Sequence, residues 1–219
     1  MVSASNRSNI SNDLSHVIRY MIADGELPAG EHVNEVRLAG QLDVSRTPLR
    51  EALSQLTAEG LLECKPRRGF FAKSLTVAEV KQLYPLRTLL DPQALRLAGI
   101  PNQKRISELR RINERIAKVK GRPGRAIDLD DKWHRTLLTD CPNQILLGFI
   151  EQLIWQSRRY EFAYLSQKNN VEMATNEHEA ILVALEKSDL PTACKLLGQN
   201  MTSAREPLLA WLRSRMETQ

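Results

Sequence analysis

Apolar residues recur at helical spacing through most of the chain, beginning with a stripe near the N-terminus. This stripe predicts a helix from about residue 11 to residue 24. Its members are Leu14, Val17, Ile18, Met21 and Ile22. A short second helix is predicted after Asn34, a residue type that favours the N-cap position. A third helix is predicted from Ser45, as its N-cap, to Glu59, with Gly60 as its stop.

Two short apolar runs follow the third helix and flank a turn that contains proline and glycine. The runs are residues 61–65 and 70–72, and the turn is Pro66-Arg67-Arg68-Gly69. This pattern predicts a β-hairpin with a basic tip. Three helices followed by a hairpin is the order of a winged helix-turn-helix, which we expect to occupy residues 1–75.

From Thr76 onward the pattern is helical and predicts no strand. Thr76 and Glu79 form a capping box that starts a helix ending near Leu97, and Pro85 is expected to kink or split it. Further helices are predicted at about residues 103–120, 126–139, 143–167, 172–187 and 190–216. The predicted fold is therefore mainly α, with an N-terminal winged helix-turn-helix and a C-terminal all-α bundle at residues 76–219.

The composition is that of a protein with a packed core. Of the 219 residues, 42% are hydrophobic and 26% are charged, which excludes wholesale disorder. The chain has neither an apolar stretch of about 18 residues nor an apolar N-terminal signal, so we expect a cytoplasmic protein without membrane association. Three widely spaced cysteines without a CxxC motif argue against a disulfide framework and favour buried thiols.

The net charge of +5 permits nucleic-acid binding but does not decide it. Residues 1–75 contain nine Lys and Arg against nine Asp and Glu. Six of those cations lie within residues 46–73, against three acidic residues there. A DNA-binding role therefore depends on where the cations lie.

Arg46 and Arg50 lie one turn apart on the predicted third helix, away from its apolar face. Such a helix fits the major groove of DNA, and arginine can bind guanine through two hydrogen bonds. The hydroxyl groups of Ser45 and Thr47 are suited to phosphate contacts. The tip of the hairpin could approach the DNA backbone or minor groove through Arg67, Arg68 and Gly69.

The second part of the chain contains a candidate metal site. Asp130 and His134 are four residues apart on one predicted helix, so their side chains point the same way. His178 lies on a later helix, and Asn200 follows on the last one. Carboxylate and imidazole groups that converge in a helical bundle can hold a divalent ion. A polar pocket without a metal is the alternative.

The N-terminal region resembles the DNA-binding domain of GntR-type bacterial transcription regulators over about residues 10–75. The resemblance rests on the segments Leu38-Ala39, VSRTPLREAL from Val44 to Leu53, Gly60-Leu61 and Arg68-Gly69. It implies a homodimer that binds a pseudo-palindromic double-stranded operator. The implied DNA contacts are Arg46, Thr47, Arg50 and the wing at Gly69. Val36 departs from members that carry a cation at this position.

Residues 76–216 resemble the FCD ligand domain of the FadR-type branch of that family. The resemblance rests on Arg87-(3)-Asp91-Pro92, Asp130-(3)-His134, Asn143, Glu177-His178-(2)-Ile181 and the segment at Asp189. In that branch the usual metal ligands are one Asp and three His. The implied ligands here are Asp130, His134 and His178, with Asn200 where His is usual. A Zn- or Ni-like divalent ion is the implied cofactor, and an amide oxygen is a weaker ligand for it than imidazole.

Arg87 is the candidate for binding a small carboxylate effector, because its guanidinium group can hold a carboxylate through two hydrogen bonds. A salt bridge between Arg87 and Asp91 is the alternative, and Tyr84 is a second candidate for this pocket. The function expected is that of a DNA-binding regulator, a repressor rather than an enzyme, controlled by the effector. Two alternatives stay open: a metal-dependent enzyme fused to a DNA-binding domain, and a regulator that responds to the metal alone.

Overall fold

The computed structural model describes residues 4–119, 121–168 and 172–216 of the chain. These residues divide between two compact units, bounded as Met1–Leu75 and Thr76–Gln219. No helix in the described part is both long and apolar enough to cross a membrane.

The first unit is a winged helix-turn-helix, as predicted. Its described elements are α1 (Ala4–Ala23), α2 (Glu35–Gln41), α3 (Arg46–Ala58), β1 (Leu62–Lys65) and β2 (Gly69–Ala72). α1 starts seven residues before the predicted position, because the apolar stripe begins only at Leu14 and periodicity does not reveal the turns before it. Helices α1 and α3 pack together through a core in which Ile18, Leu49 and Leu53 are completely buried.

The starts of α2 and α3 differ in how they are capped. The side chain of Asn34 accepts a hydrogen bond from the backbone N–H of Arg37, as expected of an N-cap. Ser45 occupies the N-cap position of α3, as predicted, but its side chain makes no capping hydrogen bond. Its hydroxyl group is exposed at the start of the helix.

The hairpin pairs antiparallel, with Leu62 opposite Ala72 and Lys65 opposite Gly69. Its turn needs left-handed backbone at Arg67 (φ 61°) and at Gly69 (φ 83°). A Cβ atom at position 69 would also lie 3.2 Å from Nε2 of His32, so the His32 side chain would have to shift slightly. The tip of the wing is therefore held close to the segment that precedes α2.

In its described part the second unit is all helical. Its elements are α4 (Val77–Ala98), α5 (Gln103–Ala117), α6 (Pro123–Leu138), α7 (Gln144–Lys168), α8 (Glu172–Glu186), α9 (Leu190–Ser203) and α10 (Arg205–Met216). Helix α5 is amphipathic, with Ile106, Leu109 and Ile116 buried in the core and most of its basic residues outside. Trp133 is completely buried, and Trp155 and Trp211 are 6% exposed.

The sequence left open whether Pro85 kinks or splits its helix, and it predicted one last helix where the structure has two. α4 continues through Pro85 without splitting, because buried residues on both sides of it, Leu83 and Ala94 among them, keep the helix packed. The predicted last helix is instead two, with a break at Ala204. Pro207 cannot donate to the carbonyl of Ser203 and its ring crowds that carbonyl, so α9 ends at Ser203.

Two smaller predictions also change. Helix α5 ends at Ala117, short of the predicted end at residue 120, which lies outside the described residues. All three cysteines are free thiols, and Cys141 and Cys194 are buried as expected. Cys64 is exposed instead, because it lies on the outer face of β1.

Candidate functional site

The exposed face of α3 presents the two arginines that the sequence singled out. The side chains of Arg46 and Arg50 are 63% and 57% exposed, while Leu49 between them is completely buried. Ser45 and Thr47, at the start of the same helix, are exposed. The face opposite the core is therefore polar and cationic, as a helix that enters a DNA groove requires.

Glu35, which sequence reasoning missed, lies between these two arginines. Its Oε2 atom is 3.8 Å from Nη2 of Arg46 and 3.7 Å from Nη1 of Arg50. The side chain of Glu35 is only 14% exposed, and its Oε2 atom makes no hydrogen bond within the described structure. Its place at the start of α2 could have suggested a helix-capping role but not this contact.

The wing carries further cations beside an aromatic ring. Arg67 and Arg68 are exposed at the tip. The guanidinium carbon of Arg68 lies 5.3 Å from the centre of the Phe71 ring, and Nζ of Lys65 lies 4.5 Å from it. Cation–π contacts of this kind hold the wing cations near the strands.

In the second unit, Asp130 and His134 of α6 meet His178 of α8. Nε2 of His134 is 3.7 Å from Oδ2 of Asp130, and Nε2 of His178 is 3.5 Å from Oδ1 of the same carboxylate. One ligand atom from each residue lies within 4.8 Å of the others. Both histidines are buried, and the Asp130 side chain is 29% exposed. The three residues thus offer one small volume with a carboxylate and two imidazoles.

Hydrogen bonding determines which nitrogen of His178 faces this volume. Asn113 donates from Nδ2 to the carbonyl of Thr175, so its Oδ1 atom accepts from Nδ1 of His178 at 3.1 Å. Nε2 of His178 is then an unprotonated acceptor, buried without a hydrogen-bond partner in the described structure. Trp133 stacks on the same ring, with centroids 3.8 Å apart. Sequence reasoning missed Asn113 and Trp133, which orient the imidazole.

Burial keeps both imidazoles neutral. It lowers the pKa of His178 to about 3, and it lowers the pKa of His134 well below its usual value, with His178 and Arg87 adding to the effect. Metal ligation requires neutral imidazole. Burial together with the nearby Glu161 raises the pKa of Asp130, which a bound cation would oppose. The donor set and the unpartnered Nε2 atom therefore fit a divalent cation.

Asn200 of α9 belongs to the same region. It is 6% exposed, and its Nδ2 atom donates to Oε2 of Glu177 at 2.7 Å. A carboxylate only accepts hydrogen bonds, so this contact assigns the amide orientation and leaves Oδ1 as the second polar atom. Oδ1 is buried and has no hydrogen-bond partner in the described structure, as a ligand oxygen would be before it binds.

A cavity of about 140 Å³ adjoins Asp130, His134 and Asn200. Tyr84 and Arg87 of α4 line it, as does Glu161 of α7. Arg87 forms a buried salt bridge with Asp91, Nη2 to Oδ1 at 3.0 Å, so it both lines the cavity and makes the alternative contact considered from the sequence. The hydroxyl group of Tyr84 donates to Oε1 of Glu161 at 3.3 Å. No motif or spacing in the sequence pointed to Glu161.

Two family models match this chain. The model for bacterial regulatory proteins of the gntR family matches residues 10–72, and the FCD domain model matches residues 82–203. The first of these models describes bacterial regulatory proteins.

Proteins of similar sequence are also named as transcription regulators. The Nta operon transcriptional regulator of Aminobacter aminovorans is 39% identical over 142 residues, which are 59% of this chain and 68% of the relative. The HTH-type transcriptional repressor RspR of Escherichia coli (strain K12) is 24% identical over 202 residues, 90% of this chain and 88% of the relative. Among solved structures, E. coli McbR/YncC has the same fold, with a TM-score of 0.78 at 23% identity over 99% of this chain and 100% of that one.

Proposed function

Since the chain belongs to the GntR family of bacterial transcription regulators, and to its branch with an FCD domain, we propose that a small carboxylate effector bound in the second unit controls its affinity for operator DNA. Regulators of this family bind operator DNA, and RspR is described as a repressor. We accordingly propose that this chain represses transcription rather than activating it.

The proposed DNA-reading residues are those on the exposed face of α3. Arg46 and Arg50 reach base edges in the major groove, where an arginine that binds guanine through two hydrogen bonds contributes about 1–3 kcal/mol of discrimination. The remaining contacts go to the DNA backbone and come from Ser45, Thr47, Arg67, Arg68 and Gly69. The exposure of Ser45, Thr47, Arg67 and Arg68 supports this assignment, and Gly69 is partly exposed.

The proposed active form is a homodimer on a pseudo-palindromic operator. Two recognition helices related by a two-fold axis read half-sites about 34 Å apart, one turn of DNA. The effector binds one arrangement of the dimer better than the other and so shifts the population between them. Because the required separation is narrow, a small change in it lowers operator affinity.

The observation that carries the effector proposal is the cavity. It collects Tyr84 and Arg87 from α4 together with Asp130 and His134 from α6. A divalent ion, zinc or nickel in character, would be held by Asp130, His134, His178 and Asn200. Such an ion would supply Lewis acidity, and Arg87 hydrogen-bond donors, for an effector carboxylate.

The DNA assignment is tested by the double variant Arg46→Ala/Arg50→Ala. We expect the affinity for the best genomic fragment to fall at least about tenfold, and discrimination against random DNA to disappear. The matched control is Arg111→Ala/Arg115→Ala, which removes two exposed arginines at the same spacing on α5. Fluorescence anisotropy with labelled duplexes measures both quantities. Unchanged selectivity of the Arg46/Arg50 variant contradicts the proposal.

The metal assignment is tested by chelation, metal analysis and titration with Zn²⁺ and Ni²⁺. We expect His134→Ala to lose the ion, and His16→Ala, a change of an exposed histidine in the first unit, to retain it. A full effector response by metal-free protein removes the ion from the proposal. Operator binding that responds to metal alone, across a panel of organic acids, supports the purely metal-responsive alternative.

A further inference from the structure

The cavity of the second unit contains more negative than positive side chains. Besides Asp130, which belongs to the candidate metal site, its wall includes the carboxylates of Glu161 and Glu177. Arg87 is the one cationic side chain among the described residues that line it. A divalent ion at the candidate metal site would offset only two of these three negative charges, so the wall has no positive charge in excess for a simple organic acid.

The charge of Arg87 is already balanced. Its partner Asp91 is completely buried, and the Arg87 side chain is only 5% exposed. Separating a buried pair of this kind is unfavourable, because each charge would remain buried without a partner. Nε of Arg87 is nevertheless buried without a hydrogen-bond partner within the described residues. Arg87 therefore offers a ligand a hydrogen-bond donor, with little net positive charge behind it.

Among the described residues, Glu161 and Glu177 accept hydrogen bonds only from neutral groups. Glu161 accepts from the hydroxyl group of Tyr84. Glu177 accepts from the amide of Asn200 and from the hydroxyl group of Ser203, both through Oε2. Neither carboxylate forms an ion pair with another described residue.

We propose that the effector is a zwitterion, an amino acid whose ammonium group is bound by Glu161 and whose carboxylate faces Arg87. The inference rests on the proposed role of the cavity as the effector site and narrows the class of ligand. An ammonium group supplies the positive charge and the donors that Glu161 lacks. A plain or hydroxylated acid leaves the partly buried carboxylate of Glu161 without a cation that forms a hydrogen bond to it.

The rest of the cavity wall indicates the kind of side chain. Its larger apolar members are Ile116, Ile127, Leu165, Met173, Met201 and Leu208. These residues favour an apolar group on the ligand, because contact between the two removes apolar surface from water. The chemical class is therefore an amino acid with an apolar side chain.

Matched sets of compounds test this with the full-length protein. Calorimetry compares L-leucine, L-methionine and L-phenylalanine with the 2-hydroxy acid and the unsubstituted acid of each carbon skeleton. We expect at least one amino acid to bind at least about tenfold more tightly than both of its counterparts, the size expected for a hydrogen bond between charged groups. Operator affinity is measured with every compound that binds.

Three variants identify the residue responsible. We expect Glu161→Gln to abolish the preference for the amino acid, because the amino acid binds more weakly while the unsubstituted acid binds equally or more tightly, and Glu161→Asp to keep the preference. Glu114→Gln, the same change at an exposed position of α5, should alter neither. Circular dichroism melting confirms that each variant is folded.

The outcomes separate this inference from the proposed function. If a plain or hydroxylated acid binds as tightly as its amino counterpart and changes operator affinity, the zwitterion is wrong and the effector-controlled regulator stands. If an amino acid binds through Glu161 without any change in operator affinity, the ligand class is right and the regulatory role is wrong. If no amino acid of the panel binds, or if Glu161→Gln keeps the preference, the inference is overturned.

Discussion

At the scale of single residues, the buried or half-buried acids decide what the cationic groups can do. Glu35 lies 3.8 Å from Arg46 and 3.7 Å from Arg50, and Asp91 pairs with Arg87. In both units a carboxylate limits the freedom and the charge of the arginine that the sequence points to. A guanidinium group that is held in place loses less conformational entropy when it binds its target.

The first residue-scale prediction concerns Glu35→Gln. Removal of this charge should raise affinity for random DNA about two- to fivefold, the size of a largely exposed ion pair, and lower discrimination in favour of the operator. Anisotropy with operator and scrambled duplexes measures both. Glu51→Gln removes an exposed charge from α3 and controls for net charge. Equal discrimination in the two variants contradicts a positioning role for Glu35.

A second residue-scale prediction concerns the orientation of His178. Asn113→Ala removes the acceptor that holds Nδ1 of this ring. We expect a 10–100-fold loss of Zn²⁺ affinity, typical when the residue behind a ligating histidine is lost. Competition with a chromophoric chelator measures the affinity. Asn102→Ala, a change at the exposed N-cap of α5, should not alter it.

The fourth position of the candidate metal site gives a third prediction. Asn200→His places an imidazole where the amide oxygen is buried without a hydrogen-bond partner. We expect tighter binding of Zn²⁺ and Ni²⁺, because imidazole suits these ions better than a neutral amide oxygen does. The same chelator competition is the readout. Weaker binding by this variant removes position 200 from the ligand set.

At the scale of elements, the packing of α9 on α4 depends on one small residue. A Cβ atom at Gly198 would lie 3.5 Å from Cγ of Pro92 and 3.5 Å from the carbonyl oxygen of Thr88, an ordinary contact distance. The space therefore accepts a methyl group but no larger side chain. Arg87 of α4 and Asn200 of α9 both line the cavity, so the distance between the two helices also sets the width of the cavity.

The element-scale prediction follows from that space. Gly198→Ala should raise the free energy of unfolding by up to about 1 kcal/mol, because alanine has the higher helix propensity. Gly198→Leu should lower it by about 1–3 kcal/mol through overpacking. Gly40→Leu, in α2 where nothing lies within 4 Å of a Cβ atom, is the control. Chemical denaturation measures all three, and a stable Gly198→Leu variant contradicts the tight contact.

At the scale of the whole molecule, the proposed function is a coupling between two sites that lie in different units. Thermodynamic linkage requires that the effector and the operator change each other's affinity by the same factor. A coupling of about 1–3 kcal/mol, or about 5–150-fold, is typical of such systems.

The molecular-scale prediction is this reciprocity. We expect the factor by which the effector lowers operator affinity to equal the factor by which operator DNA lowers effector affinity, each measured by calorimetry on the full-length protein. The Arg46→Ala/Arg50→Ala variant should retain effector binding and lose its dependence on the operator. An effector affinity that is the same with and without bound operator contradicts a two-state mechanism.

Local patterns in the sequence were sufficient for the order of elements and for the family. The winged helix-turn-helix and the all-α character of the second unit are confirmed, as is the resemblance to GntR regulators with an FCD domain. Helical periodicity, caps such as Asn34 and the turn at Gly69 act over a few residues, so they can be read without the fold. The local signals were insufficient where two of them competed, as at Pro85 and Pro207.

The sequence by itself therefore singled out the candidate residues: two arginines on α3 and an Asp-x₃-His pair on α6. Only the tertiary structure decided what surrounds them. Asn113 reaches His178 across 65 residues, and Glu161 reaches Tyr84 across 77. The physical reason is that charge balance, tautomer and cavity shape arise from side chains brought together by packing, and no periodicity along the chain records which distant helices will meet.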